Sequence, residues 1–312
     1  MKNKGLIYSF IVMLLWGLLF PSVKMGYRAF GISAIGDILS FAGLRFLICG
    51  ILITAFAVVR NPQGVKGLRK HWHMVLLSSL FAIILHYGFT YTALSLTDGS
   101  KTAILKQLGA VFYICFAALF FADDRLTWQK VIGLVLGIGG ILVINVDASG
   151  IKFQVGDLLI IAASFCTVFS NITSKKVFQY VEPILSTGVS QLFGGVVLLI
   201  VGLMSGGEIR TVVPKTGEQM MVLAVILMAS IISYCLWFLI VQKEKLSKLF
   251  IIKFSEPLFA AIFGWILLGE DTLNANYIAA FVLISAGIVV ANLKKSFRKG
   301  YNGKTDCVEQ HR

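Results

Sequence analysis

Charge is scarce in this chain of 312 residues, where Asp, Glu, Lys and Arg together make up 14%, against about a quarter in soluble domains. Proline and cysteine are scarce too, with five of each. Cys49, Cys115, Cys166 and Cys235 fall in apolar runs and Cys307 near the C-terminus, and no Cys-x-x-Cys occurs. That pattern indicates neither a disulfide framework nor a metal site. A G-x-x-x-x-G-K-[ST] phosphate loop is also missing, so no nucleotide site and no cofactor are expected. The gaps between apolar stretches leave almost no room for a soluble domain.

What the chain has is apolar sequence, 57% of its residues. Runs recur at 6–23, 37–59, 73–95, 102–121, 131–146, 157–174, 184–204, 219–241, 249–268 and 275–292. A helix needs about 17 or more residues to cross a hydrocarbon core of about 30 Å. Most of the runs reach that length. The run at 131–146 is slightly short, but an internal repeat pairs it with 275–292, so it is kept. The expected fold is an all-α membrane protein with ten transmembrane helices. The first run follows Lys2 and Lys4, as a signal peptide would. No small-x-small cleavage site follows, and Pro21-Ser22-Val23-Lys24 is a poor one, so it is read as a retained first helix.

The repeat is the most informative feature. Residues 74–145 align without a gap on 221–292, and more than a quarter of those positions are identical. Composition bias does not account for the shared polar ones: Tyr87/Tyr234, Lys101/Lys248, Lys106/Lys253, Asp124/Asp271 and Asn145/Asn292. The first helix has its own counterpart, Trp16-Gly17-Leu18-Leu19-Phe20 lining up with Phe165-Cys166-Thr167-Val168-Phe169. The two units are 5–146 and 154–293, and 294–312 is a basic tail. Each unit holds five helices. Five is odd, so the second unit enters the membrane from the opposite side, which predicts an in-plane pseudo-two-fold and alternating access.

The net charge of +13 invites a nucleic-acid reading, and its distribution removes it. With a cytoplasmic N-terminus, inside segments hold nineteen Lys and Arg and outside segments six, with Arg45, Lys106 and Lys253 within spans. That bias is the positive-inside rule and places both termini in the cytoplasm of a cell-membrane protein. The tail Lys294-Lys295-Ser296-Phe297-Arg298-Lys299 is positioned to touch anionic lipid.

At this point the residues resemble the drug/metabolite transporter superfamily, EamA type, with one EamA domain per unit. The resemblance rests on Trp16-Gly17-x-x-Phe20-Pro21, Arg45-Phe46 and Tyr91-Thr92-Ala93-Leu94 in the first unit. In the second it rests on Ser255-Glu256-Pro257, Leu267-Leu268-Gly269-Glu270 and Gly287. It implies a secondary transporter that exports a small metabolite, with spans three, four, eight and nine around the cavity and spans one, two, six and seven as gates. The chain departs from the pattern in places. Gly109-Ala110 stands opposite Glu256-Pro257, Phe121-Ala122-Asp123 opposite Leu268-Gly269-Glu270, and Phe165 where Trp is usual. Lys106 and Lys253 occupy positions more often small or apolar.

Ionisable groups inside a span cost a few kcal/mol each, on the order of 2.5–3.5 on insertion scales, so each needs a partner or a purpose. Lys253 and Glu256 lie i, i+3 on one helix face, either as a local ion pair or as cavity groups. Lys106 has no such neighbour, since Gly109 replaces the acid. It either snorkels or faces the cavity. Tyr87 and Tyr234 are either packing or a clasp for a small organic molecule. His86 reads as structural, and Arg45, matched with Gln191, as a tie between helix ends. Pro21 and Pro257 are positions where spans one and nine can kink. The expected substrate-binding residues are therefore Tyr87, Lys106, Tyr234, Lys253 and Glu256, with Pro21, Arg45, Gln191 and Pro257 gating or structural. No catalytic and no metal-ligating residues are expected. Cationic groups in the cavity favour a substrate with a carboxylate or phosphate, such as an amino acid or organic acid, with a coupling ion such as a proton. The competing classes are an intramembrane enzyme and a membrane sensor. The acidic pairs Asp123-Asp124 and Glu270-Asp271 fall on opposite faces without a His or Cys cluster, which disfavours the first. The lack of an output domain disfavours the second.

Overall fold

The structure is a computed structural model that describes residues 2–109, 112, 127–144, 146–147, 150–151, 153–241, 255–271 and 274–292. The second half of the predicted fourth span, Lys253, Asp123-Asp124 and the basic tail lie outside the described residues. The chain runs through α1 (Lys2–Phe30), α2 (Ile35–Arg60) and α3 (Gly64–Ser79). After a π-helical turn at Leu80–Leu85 come α4 (His86–Leu96), α5 (Gly99–Lys106) and α6 (Trp128–Ile144). The second half has α7 (Val155–Val177), α8 (Pro183–Met204), the short α9 (Ile209–Val212), α10 (Gly217–Val241), α11 (Ser255–Leu268) and α12 (Ala275–Asn292). A two-residue antiparallel pair, β1 (Val146–Asp147) with β2 (Gly150–Ile151), interrupts the helices at the junction of the halves.

Six stretches among the described residues are long and apolar enough to cross a membrane: Ile7–Phe30, Ile35–Arg60, Gly64–Leu96, Val155–Ser174, Pro183–Met204 and Gly217–Trp237. Shorter apolar helices cover Val131–Val143, Ser255–Leu268 and Ala275–Gly287. Their outward faces carry large apolar side chains, for example Ile51, Leu52, Phe56 and Val59 on α2, and lipid is the solvent that suits them. This is a multi-pass membrane protein. The third apolar run covers 73–95, and the helix that carries it begins earlier, at Gly64, within the basic segment before the run. The 33 residues of Gly64–Leu96 span about 50 Å at 1.5 Å each, longer than the hydrocarbon core. A break at His71 (φ −120°, ψ 24°) divides the overhang from the span, and the His71 ring stacks on Tyr180 at 4.4 Å.

Helix ends sort into two groups. At one end Asp37 accepts from the Glu208 amide at 2.9 Å, Gln219 donates to the Ala29 carbonyl at 3.1 Å, and Lys101 meets Asp157 at 2.9 Å. At the other, Gly67 lies against Tyr180 and Gly64 against Leu185 and Glu182. Among the described helices, α1, α2, the continuous α3–α4 span, α7, α8 and α10 therefore alternate in direction.

The tightest seam joins α2 and α8. Glycines recur every seven residues on both helices, at Gly36, Gly43 and Gly50 and at Gly188, Gly195 and Gly202. Gly36 faces Gly202 and Gly207, Gly43 faces Gly195 and Leu199, and Gly188 faces Thr54, so the helices run antiparallel. A β-carbon at any of these positions would overlap the facing helix or the turn that follows it. Such close approach lets dispersion and weak Cα–H···O contacts hold helices where lipid offers no hydrophobic drive between them. Helices α6 and α12 meet the same way, through Gly140 on Ile284 and Gly287 on Gly133.

We therefore expect Gly195→Val to cost at least about 2 kcal/mol through overpacking of the seam. In detergent it should unfold several degrees below the parent. Gly139→Ala, where an added methyl meets nothing within 4 Å, should melt with the parent, and equal melting of both variants would refute the seam as a determinant of stability.

Candidate functional site

The polar side chains buried among the spans gather around two tyrosines. Tyr87 lies in the first turn of α4 just after the π-turn, and Tyr234 about two-thirds of the way along α10. Their hydroxyls hydrogen-bond directly to each other. Trp16 of α1 stands edge-on to Tyr234 at 6.3 Å and against Trp237 at 5.0 Å. On the other flank Phe46 of α2 lies 4.4 Å from the Tyr87 ring. The site is thus walled by aromatic faces from both halves of the chain.

Two cations address the same Tyr87 ring. The Lys106 ammonium, on α5, lies 5.4 Å from its centroid and 5.2 Å from that of Phe20 on α1. The Arg45 guanidinium lies 5.8 Å from Tyr87, 4.7 Å from Phe46 and 5.7 Å from Tyr91. Arg45 is 2% exposed. It donates from Nε and Nη2 to the Ser230 hydroxyl at 3.0 and 2.8 Å and from Nη1 to the Tyr91 hydroxyl. Among the described residues no carboxylate lies within 4.0 Å of either cation. Ring faces are worth about 0.5–2 kcal/mol each to a cation, which softens a charge in this place without neutralising it.

The sequence expectations fall into place unevenly. Tyr87, Tyr234, Lys106 and Arg45 come together. Arg45 lies ten residues inside α2, so it bridges helix middles rather than tying helix ends. Glu256 is 3% exposed on α11, and its Oε2 meets no hydrogen-bond partner among the described residues. Its backbone carbonyl abuts Gly17 on α1. Lys253, its expected partner, lies outside the described residues. Gln191 is fully buried on α8, with neither amide atom hydrogen-bonded among the described residues. Helix α1 continues through Pro21, and Pro257 is buried in α11. His86 ties α4 to α7 through Nδ1, 3.0 Å from the Ala163 carbonyl and 2.9 Å from the Thr167 hydroxyl.

Sequence reasoning passed over Tyr91, Phe20 and Ser230 as site residues. Tyr91 follows Tyr87 by four positions, which places both on one helix face, and that spacing was a usable signal. Ser230 had none, since its repeat counterpart is Ile83.

Comparison with known proteins places this geometry. The sequence model of the EamA-like transporter family matches residues 3–146 and 154–293. The uncharacterized transporter YoaV of Bacillus subtilis is 25% identical over 301 residues, covering 92% of this chain and 96% of that protein. The uncharacterized inner membrane transporter YedA of Escherichia coli is 23% identical, covering 90% and 88%. A chloroplast WAT1-related protein of Arabidopsis thaliana is 24% identical over 78% of this chain, which spans 60% of that protein's length. A solved crystal structure superposes with a TM-score of 0.64 at 20% identity, over 93% of this chain and 96% of that one.

Two predictions follow from the geometry. Tyr234→Phe should cost about 1–2 kcal/mol by leaving the Tyr87 hydroxyl unpaired, whereas adding Tyr87→Phe should recover most of it. Additive losses in the double variant, read from thermal unfolding, would mean the hydroxyls do not pair. Arg45→Met should leave the melting temperature unchanged or higher, because burying an uncompensated charge costs more than a methionine of similar length. A fall of more than about 5 °C would show that Arg45 serves the fold instead.

Proposed function

The chain belongs to the EamA-like transporter family, and on that premise we propose that it moves a small anionic metabolite, such as an amino acid or organic acid, outward across the cytoplasmic membrane. The movement proceeds by alternating access between two inverted five-helix halves. The observation that carries the substrate class is the pair of cations on Tyr87, with no carboxylate within 4.0 Å among the described residues. A buried site with uncompensated positive charge is complementary to a carboxylate or phosphate, and low dielectric strengthens that attraction. Lys106 is the group that meets the anion, and Tyr87 and Tyr234 bracket its organic part. Glu256 limits the net positive charge, with Lys253 as its expected counter-ion.

The inverted arrangement is supported by which helices touch. The predicted mates α2 and α8 pack antiparallel, as do α6 and α12. The contact of α1 with α10 is mirrored by that of α7 with α4. An axis along the membrane normal would make mates parallel. The orientation, with both termini cytoplasmic, rests on the nineteen-to-six distribution of Lys and Arg. Without a nucleotide site in the sequence, the driving force is an ion gradient such as protons, exchange, or the substrate's own gradient.

A panel of labelled amino acids and organic acids on proteoliposomes, with and without a pH gradient, identifies the substrate. Once it is known, Lys106→Met should weaken its binding at least about tenfold, the scale of one charge-assisted contact of about 1.5–3 kcal/mol, with the protein still folded. Unchanged binding would reduce Lys106 to a snorkelling anchor and remove the anionic-substrate reading, while the family would stand.

A further inference from the structure

One carboxylate outside the central site joins three of the helices that build it. After α11 the chain turns at Gly269 (φ +68°), and the Glu270 amide returns to the Gly264 carbonyl at 3.2 Å. The Glu270 side chain, in a residue 8% exposed, then reaches the start of α5. It accepts from the Gly99 and Ser100 amides at 2.8 and 3.1 Å, from the Ser100 hydroxyl at 2.6 Å and from the Lys24 ammonium of α1 at 3.3 Å. Lys24 also donates to the Thr97 carbonyl at 3.0 Å and lies 3.6 Å from Asp98. Tyr277 of α12 donates to Asp98 at 3.1 Å, and the Lys101–Asp157 pair lies beside it. Gly264 has no room for a β-carbon because Ser100 and Glu270 fill the space. Burial alone would push the Glu270 carboxyl up, but the Ser100 hydroxyl, the Gly99 and Ser100 amides and Lys24 hold it below the usual range.

We propose that Lys24, Ser100 and Glu270 form a clasp that closes the outer end of the substrate path, and that this clasp must part for substrate to leave. The proposal rests on the transporter reading and on its orientation. Two of the three helices it joins, α1 and α5, carry the Phe20 ring and the Lys106 ammonium of the site, and the third, α11, packs on α1 at Gly17. Helix α1 bears Phe20 one turn before Lys24. Helix α5 bears Lys106 six residues after Ser100, about 9 Å along the helix. Helix α11 bears Glu256 and leads to Glu270. Parting the clasp therefore separates the Phe20 ring from the Lys106 ammonium and frees α11 from the start of α5. Holding it closes the outer end with charge-assisted bonds that water competes for only weakly when buried. The sequence repeat supplies Asp123 and Ser247 at the positions matching Glu270 and Ser100, outside the described residues, so the inner end has the parts for a clasp of the same kind.

The test is thiol access. In a cysteine-free background, Thr102→Cys places a thiol on a fully buried position of α5, just below Ser100. An impermeant maleimide added outside right-side-out vesicles should react slowly with it. Glu270→Gln and Lys24→Gln should each speed the reaction about tenfold, and Ser100→Ala, a milder change, about threefold. Because the carboxyl is held low, the wild-type rate, corrected for thiol ionisation, should be flat from about pH 8 to pH 5 and rise only as pH falls through the carboxylate range. Unchanged access in Glu270→Gln and Ser100→Ala, with native gel-filtration profiles, overturns the clasp. A rise seen only from the side of the termini overturns its place at the outer end. Labelling needs no substrate, so clasp-dependent access in a protein that transports nothing would contradict the transporter reading and leave the clasp.

Discussion

Within a bilayer no water waits to complete a hydrogen bond, and this constraint governs the rest of the molecule. Backbone groups must pair within their own segment, which leaves helices as the economical choice for a chain this apolar. Apolar side chains gain nothing by leaving lipid for protein, so helices are joined where shape allows close approach or where a polar group finds a partner. Both devices occur here, and they occupy different places. The α2–α8 and α6–α12 seams are glycine contacts with little chemistry in them. The polar groups concentrate on other faces, where α1, α2, α4, α5 and α10 meet around Arg45, Tyr87 and Lys106.

That separation has a mechanical meaning. A glycine seam has few interlocking side chains to unlock, so one helix can rock on the other while staying in contact. A polar cluster behaves differently, because its bonds are either made or lost. Arg45 illustrates the cost: its guanidinium is enclosed by Phe46, Tyr87 and Tyr91 and satisfied by two hydroxyls rather than by a carboxylate. Evolution of a stable fold alone would favour an apolar residue there. Under the function proposed above, the charge serves the site, where it stands beside the Tyr87 ring.

The membrane class and the six long apolar helices were legible from apolar run length, and Tyr87 and Tyr234 as matching positions from the repeat. Lengths were less so. The overhang of α3 falls outside the apolar run 73–95 because its Lys and Arg residues are polar, yet Val65 and Leu68 pack inward against the α7–α8 corner. Arg45 was legible as an anomaly but not as a neighbour of Tyr87, since contacts between α2 and α4 depend on helix rotation that composition does not record. Glu270 looked like half of an acidic pair. Its partners Lys24 and Ser100 lie 246 and 170 residues away, beyond any local pattern.

The repeat also shows where symmetry is kept and where it is abandoned. Packing positions are shared, since glycine seams, apolar faces and the tyrosine pair occur in both halves. The groups that hold Arg45 are not shared: Tyr91 corresponds to Phe238, Ser230 to Ile83, and Arg45 itself to Gln191. A duplicated scaffold needs equal halves so that either end can open at similar cost. A binding site for an asymmetric molecule needs the opposite, because a substrate with one anionic end presents that end to one side only. Loss of symmetry at the Arg45 position, with Lys106 and Tyr87 kept in both copies, reconciles these demands. Under the function proposed above, the shared packing positions serve both halves, and the Arg45 charge, carried by one of them, orients the substrate.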